Sequence, residues 1–329
     1  MVTFNDPLFS RQWHFRLLGD IGRIWNEYSG AGVSIVVFDN GVQYTHPDLN
    51  DTYDATLHFA YAGEVYDPYP INVFPGADAD SHGTAVAGII AGEAGNGLGG
   101  VGVAWGATLT GINLLSDPRF YDGTPESAAR ELAAFEYAAS FDIMTNSWGY
   151  DPRAFPEFLN RADEGSYASL VEDVFGYAAE TGRGGLGTLI VKASGNEIAN
   201  ANGEGLNGSR FVIDVAAVGA AGQVEWYSNY GTNILVSAGA AAVTTDLMGM
   251  AGRNTATGSA GDYASEFGGT SAATPVVTGV IALMLDANDD LGWRDVREIL
   301  ATSASLTGSI VTGNQTDEVS GTYFQMNDQ

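Results

Sequence analysis

Phe267-Gly268-Gly269-Thr270-Ser271-Ala272-Ala273-Thr274-Pro275, followed by the apolar run 276–285, joins two glycines, a serine and a long series of helix formers. The glycines let a backbone approach its surroundings closely. The residues after them favour a helix, in which a proline is tolerated only in the first turn, where amides lack partners anyway. Ser271 is therefore predicted at a helix N-terminus, where the dipole favours negative charge. A serine there is either an N-cap, the commoner role, or a nucleophile.

Outward from that helix, residues 33–38 form an unbroken apolar run of strand length, the pattern of a strand buried in a parallel sheet. The run ends in Asp39-Asn40-Gly41, and α/β sheets carry their sites at such C-terminal strand ends. Further strands are predicted at 108–115, 142–149 (running into a turn), 188–194, 211–218 and 234–237. Helices are predicted at 19–28, 125–140, 164–181, from 271 and at 293–302. Residues 48–80 read as irregular. Small residues dominate 80–92, so a helix there, with His82 in its first turn, can pack closely. Strands alternating with helices imply an α/β fold, with a mostly parallel central sheet and helices on both faces. No linker or repeat breaks the chain, so residues 1–329 are read as one domain with a polar tail at 303–329.

The 329 residues are 45% hydrophobic, enough for a sizeable core, and the 44 glycines imply many tight turns. Cysteine is absent, which excludes disulfides, thiolate metal sites and a cysteine nucleophile. The net charge of −27, from 13 Lys+Arg against 40 Asp+Glu, argues against nucleic acid or an anionic membrane as partner. No apolar run of about 18 residues is recognised, so no membrane span is expected. The first residues lack a signal-peptide pattern.

Asp39, His82 and Ser271 thus stand at element ends. Serine needs a base to take its proton, histidine is the usual base, and a carboxylate holds the histidine's tautomer. Order alone is weak, but the flanks add more. The stretches 35–42 with Tyr44-Thr45-His46-Pro47-Asp48-Leu49, Ser81-His82-Gly83-Thr84-Ala85-Val86-Ala87-Gly88 and Gly269-Thr270-Ser271-Ala272-Ala273-Thr274-Pro275 together resemble the subtilisin-like serine proteases (subtilases, peptidase family S8). Asp6-Pro7-Leu8-Phe9, Gln12-Trp13, Ser147-Trp148-Gly149, Val243-Thr244-Thr245-Asp246-Leu247, Leu285-Asp286-Ala287-Asn288 and Trp293-Arg294-Asp295-Val296 look like the kexin and furin branch.

The resemblance implies a three-layer α/β/α subtilisin-like fold and a serine endopeptidase acting on protein or peptide substrates. It implies Ser271 as nucleophile, His82 as general base then acid, and Asp39 as the residue orienting His82. Ala193-Ser194-Gly195-Asn196 matches the oxyanion motif, with Asn196 as side-chain donor; Asn146 is a rival by residue type. Ser147, Trp148 and Gly149 would pair with the substrate backbone, a form of β-augmentation. The family's tight Ca²⁺ site would take side chains from Asp6, Asp48 and Asn96 and carbonyls from Glu93, Leu98 and Gly100. A prosegment or propeptide-like inhibitor is an implied partner, although neither a prosegment nor a β-sandwich (P) domain is recognised here. A monomer and a secreted location are expected. A catalytically silent module on the same fold is the alternative.

Three other signals are rejected. Gly97-Leu98-Gly99-Gly100-Val101-Gly102 lacks the preceding strand and following helix of a dinucleotide site. Asp286-x-Asn288-x-Asp290 departs from an EF-hand at its glycine and twelfth position. Gly269-Thr270-Ser271 lacks the second glycine of a hydrolase elbow. The resemblance also fails at positions that would be acidic for dibasic specificity, here Asn40, Ala79, Pro152 and Asn229. Glu204 alone is left as an acid for a basic side chain, which with the −27 charge predicts a weaker preference for cationic or mixed substrates.

Overall fold

The computed structural model describes residues 4–71, 78–153 and 166–305, with the backbone of 315–316 and 323–324. The side chain of Ala79, the start of the helix predicted from residue 164 and most of the 303–329 tail lie outside the described residues.

Six short runs rich in Val, Ile, Leu and Ala form the central sheet: β1 (Ser34–Asp39), β2 (Thr108–Asn113), β3 (Ile143–Asn146), β4 (Leu189–Ala193), β5 (Val212–Val218) and β6 (Ile234–Gly239). Their order is β2-β1-β3-β4-β5-β6, and every neighbouring pair is parallel. Five helices connect or cover them: α1 (Asp78–Ala91), α2 (Pro125–Tyr137), α3 (Tyr167–Thr181), α4 (Thr270–Ala287) and α5 (Trp293–Ser303). Helices α1 and α4 pack together on one face, and α2 and α3 pack together on the other. Successive strand residues point to opposite faces. Phe38 accordingly packs at a tilt against Phe135 of α2 at 5.3 Å, and Phe135 meets Phe175 of α3 edge-on at 5.7 Å. Asp39, one residue on, faces His82 of α1. The architecture is the predicted three-layer α/β/α fold.

The structure departs from the sequence reading in several places, and β3 stops at Asn146, three residues short of the predicted limit. The helix predicted at 19–28 is a single turn, Ile21–Ile24, where the Asn26 amide bonds the Gly22 and Arg23 carbonyls. Helix α1 starts at Asp78, so His82 lies one turn further in than predicted. Pro275 is the sixth residue of α4, inside the helix rather than in its first turn. Helix α4 also passes a length and composition test for crossing a membrane, but 78% of it is buried as a core helix. An antiparallel pair went unpredicted, β7 (Ala241–Thr245) with β8 (Tyr263–Gly268). It docks α1, since Thr244 and Thr245 hydroxyls donate to the Ala85 and Thr84 carbonyls at 2.7 Å each.

One row of polar side chains crosses the sheet on the α2/α3 face. Asn146, Lys192 and Asp214 stand in register on β3, β4 and β5, all buried. Asp214 accepts from the amides of Asn207 at 3.1 Å and Asn233 at 2.5 Å. Burial pushes its carboxyl up to about 8, against the pull of the Lys192 ammonium. A raised acid favours the folded state fully below its unfolded value, and that advantage is lost as pH rises to about 8. Asn207 and Asn233 each keep an unpartnered oxygen that an amide at 214 could use by a flip. The unfolding free energy of Asp214→Asn, followed by urea titration, is therefore expected to fall less than wild type from about pH 5 to 8. Parallel pH profiles for the two proteins would contradict the assignment.

Candidate active site

The chain passes from β1 to β2 on one side and then from β2 back across to β3 on the other, so the C-terminal end of β1 lies at the switch point of the sheet. Asp39 ends β1 there and is fully buried. Its oxygens lie 2.9 and 3.0 Å from His82 Nδ1, so the ring donates to the carboxylate through that nitrogen. The Asn40 amide N–H donates to Asp39 Oδ1 at 2.8 Å, and Asn40 Oδ1 accepts from Gly83 N–H at 2.9 Å. Any side chain at Gly83 would run into the Gly41 carbonyl and Asp39 Cβ, so glycine permits the approach of α1 to β1. The His82 ring packs edge-on against Phe267 at 5.1 Å, and its side chain is 23% exposed.

Phe267 belongs to β8, which leads through Gly268 and Gly269 into α4. Gly269 has φ +84°, and a Cβ there would press on the Asn196 amide at 3.3 Å. Ser271 is the second residue of α4, where its backbone N–H has no intrahelical acceptor. Two bonds tie it to the continuation of β3. Ser271 Oγ donates to the Ser147 carbonyl at 2.9 Å, and Ser147 Oγ donates to the Ser271 carbonyl at 3.1 Å. Pro275 explains the second, because its missing N–H would otherwise have bonded the Ser271 carbonyl.

Asn196 follows β4. Its Oδ1 accepts from the Thr270 N–H at 2.9 Å and the Thr270 hydroxyl at 3.2 Å. A donor N–H on that side fixes which end of the amide is oxygen, leaving Nδ2 as the free end on an exposed side chain. The rival Asn146 is buried and donates to the Val191 carbonyl. Asp39, His82, Ser271, Asn196 and Ser147 are thus brought to one sheet end.

Ser147 is buried, Trp148 half-buried and Gly149 exposed. Asn40 and Asn229, which stand where acids were expected, spend their amides internally; Asn229 bonds Glu197, Ala199 and Ser194. Glu204 is 2% exposed, with Oε2 4.0 Å from Lys192 Nζ. Lys192 escaped the sequence reading because it sits inside an apolar strand run and carries no motif.

At the opposite end of α1, Asp48 accepts from Asn96 Nδ2 at 2.8 Å, and Asp6 Oδ2 accepts from Gly95 N–H at 2.8 Å. Burial, together with the charges of Glu93 and Asp6, raises Asp48 to about 7. Asp6 Oδ1 is buried without a partner. Among the described residues no three His, Cys, Asp or Glu side chains converge as a metal site. The loop 97–102 follows a helix and precedes a strand, so the glycine pattern there is no nucleotide fingerprint. Asp286 accepts from the N–H groups of Ser29, Gly30 and Ala31, a structural role.

The chain is 31% identical over 312 residues to human proprotein convertase subtilisin/kexin type 4, covering 92% of this chain and 39% of that protein. It is 31% identical over 315 residues to human furin, covering 91% of this chain and 36% of that protein. The chain therefore spans less than half the length of these relatives. The crystal structure of Aeromonas sobria serine protease with the chaperone (ORF2) superimposes with a TM-score of 0.77 at 27% identity, over 94% of this chain and 59% of that one. The profile of the Subtilase family matches residues 30–323, and the chain belongs to that family.

Proposed function

We propose that this chain is a serine endopeptidase whose catalytic groups are Ser271, His82, Asp39 and Asn196. The observation that carries the reading is the pinned amide of Asn196, whose Oδ1 is held by Thr270 and whose Nδ2 is left for a ligand beside Ser271. Ser271 Oγ attacks the scissile carbonyl carbon and its proton passes to His82 Nε2. Asp39 keeps the proton on Nδ1 and steadies the imidazolium that forms. The carbonyl oxygen, now negative, takes hydrogen bonds from Asn196 Nδ2 and the Ser271 N–H. His82 returns its proton to the leaving amine, and water then repeats the sequence on the acyl-enzyme. The peptide would lie as an added strand along Ser147, Trp148 and Gly149. A prosegment or propeptide-like inhibitor would use the same edge. A monomer working outside the cell is the reading that accompanies this one.

One observation favours the second reading, a silent module: Ser271 Oγ is bonded to the Ser147 carbonyl instead of His82. Hydroxyl rotation is fast and catalytic bonds often tighten only with substrate bound, so the first reading stands. A fluorophosphonate probe separates them. The folded wild type is expected to label and Ser271→Ala not to. Asn196→Ala should fold, bind peptide and lose about 10²–10³ in kcat, the range measured for the equivalent donor in a subtilisin. A folded wild type that resists the probe would favour the silent module.

The Asp6, Asp48 and Asn96 cluster fits a hard cation. Asp6 and Asp48 are buried carboxylates that act on each other electrostatically, Asp6 Oδ1 has no partner, and oxygen donors are what Ca²⁺ takes. Asp6, Asp48 and Asn96 would hold it with the carbonyls of Glu93, Leu98 and Gly100. When bound, the ion supplies the positive charge these carboxylates lack and ties the N-terminal arm to the 93–100 loop. Thermal unfolding with Ca²⁺ and with a chelator tests this. Ca²⁺ at 100 times its Kd should add about 2.7 kcal/mol, and Asp48→Asn should remove most of that gain. Equal transitions with and without the ion would rule the site out.

A further inference from the structure

Lys192 has no part in the mechanism above, yet its ammonium lies against Trp148 and Gly149, in the segment that follows Ser147. Strands β3 and β4 pair up to Asn146 and Lys192, and their continuations then flank Ser271 on two sides. Ser147 is bonded to Ser271, while Gly195 and Asn196 are bonded to Thr270. In the endopeptidase reading, a peptide with its carbonyl carbon at Ser271 Oγ and its oxygen at Asn196 Nδ2 would place the side chain of its acyl-side residue between these two segments. The Lys192 ammonium is found there. A Cβ on exposed Gly149 would stand 2.8 Å from Nζ, and Nζ donates to the Trp148 carbonyl at 2.7 Å and sits 5.1 Å from the Trp148 ring.

The anion at this place is already matched. Glu204 Oε2 is 4.0 Å from Nζ and accepts from the Asn207 N–H at 2.6 Å, while Oε1 is buried with no partner. Lys192 is 1% exposed and Glu204 2%. Asp214, in register beside Lys192, is kept protonated below about pH 8 by burial. Among the described residues, the cation at this place is Lys192 and the anion set against it is Glu204, both supplied by the chain itself. A second cation brought in by substrate would face the ammonium in a region of low dielectric, where like charges repel strongly. Such a built-in repulsion is how a site rejects a competing ligand.

We propose that Lys192 is a resident cation of the acyl-side pocket that satisfies Glu204, excludes arginine and lysine, and leaves the pocket to uncharged side chains. The proposal rests on the endopeptidase reading and replaces the preference for cationic substrates that Glu204 suggests in the sequence. Lys192 acts on the substrate side chain and has no role at the reacting atoms.

The test uses the whole chain and three peptide substrates identical except for Arg, Gln or Glu before the cleaved bond, with fluorophosphonate labelling of every sample. Wild type should cleave the Gln peptide at least about tenfold better in kcat/KM than the Arg peptide. Lys192→Met should shift the Arg-to-Gln ratio toward Arg by about tenfold or more while the Ser271 label persists. That variant strands a buried carboxylate and can fail to fold. Glu204→Gln is therefore measured too, and by leaving the ammonium unmatched it should raise the Glu-to-Gln ratio about tenfold. A wild type that prefers Arg, or labelled variants whose ratios do not move, overturns the assignment of Lys192 alone. Folded wild type that takes no label overturns the endopeptidase reading, and this inference with it.

Discussion

A hydrogen bond that α4 cannot make for itself fixes the position of the candidate nucleophile. A proline in a helix interior costs about 3 kcal/mol, in part because a carbonyl one turn back loses its donor. Here Pro275 orphans the carbonyl of Ser271, and the Ser147 hydroxyl donates to it from the end of β3. The return bond from Ser271 Oγ to the Ser147 carbonyl closes a reciprocal pair between helix and sheet. A second tie, Thr278 Oγ1 to Thr145 Oγ1 at 3.0 Å, repeats the connection two turns further along. With α4 fixed, the rest of the site follows along the chain. Thr270 holds Asn196, and Phe267 buttresses His82.

The other half of the site depends on close approach. Helix α1 reaches β1 and β7 only because Gly83 and Gly88 present no side chain at the contacts. Its hydrogen bonds to Thr244 and Thr245 then use carbonyls that already accept within the helix. At the far end, the loop after α1 is held by the N-terminal arm. Gln12 makes two bonds to Val101, at 2.9 and 2.8 Å, and the Leu8 N–H bonds the Gly99 carbonyl at 2.7 Å. The candidate Ca²⁺ ligands belong to that same junction, so a cation there would brace the helix that carries His82 from its opposite end.

Most of the fold was legible because parallel strands buried on both faces are continuous apolar runs, and five of the six end within a residue or two of their predicted limits. The β7–β8 pair was not legible, because Ala241–Thr245 is a short run of small residues that gains its meaning from α1 docking on it. Asp39, His82, Ser271 and Asn196 were legible through their flanking residues, which carry the glycines and the strand ends that position them. Pro275 was misread for a local reason: sequence shows the missing N–H but not the distant serine that compensates for it. Lys192 was invisible for a similar reason. An ammonium inside the strand Leu-Ile-Val-Lys-Ala looks like a flaw in the pattern until Glu204, 12 positions later in the sequence, is placed beside it.

The pair also bears on how the acidity of the chain should be interpreted. A net charge of −27 makes a long-range field that draws cationic polypeptides toward the surface. That field is screened over about 8 Å at physiological ionic strength and is largely spent outside the crevice. Inside it, the local balance of Lys192 and Glu204 decides, because buried charges are screened much less. A buried ion pair contributes little net stability compared with apolar residues of the same size, so stability alone does not account for an ammonium in β4. Its position beneath Gly149 supplies a reason: under the proposed reading, attraction of a basic chain and cleavage after a basic residue would be separate properties, one set by the surface and the other by a single internal cation.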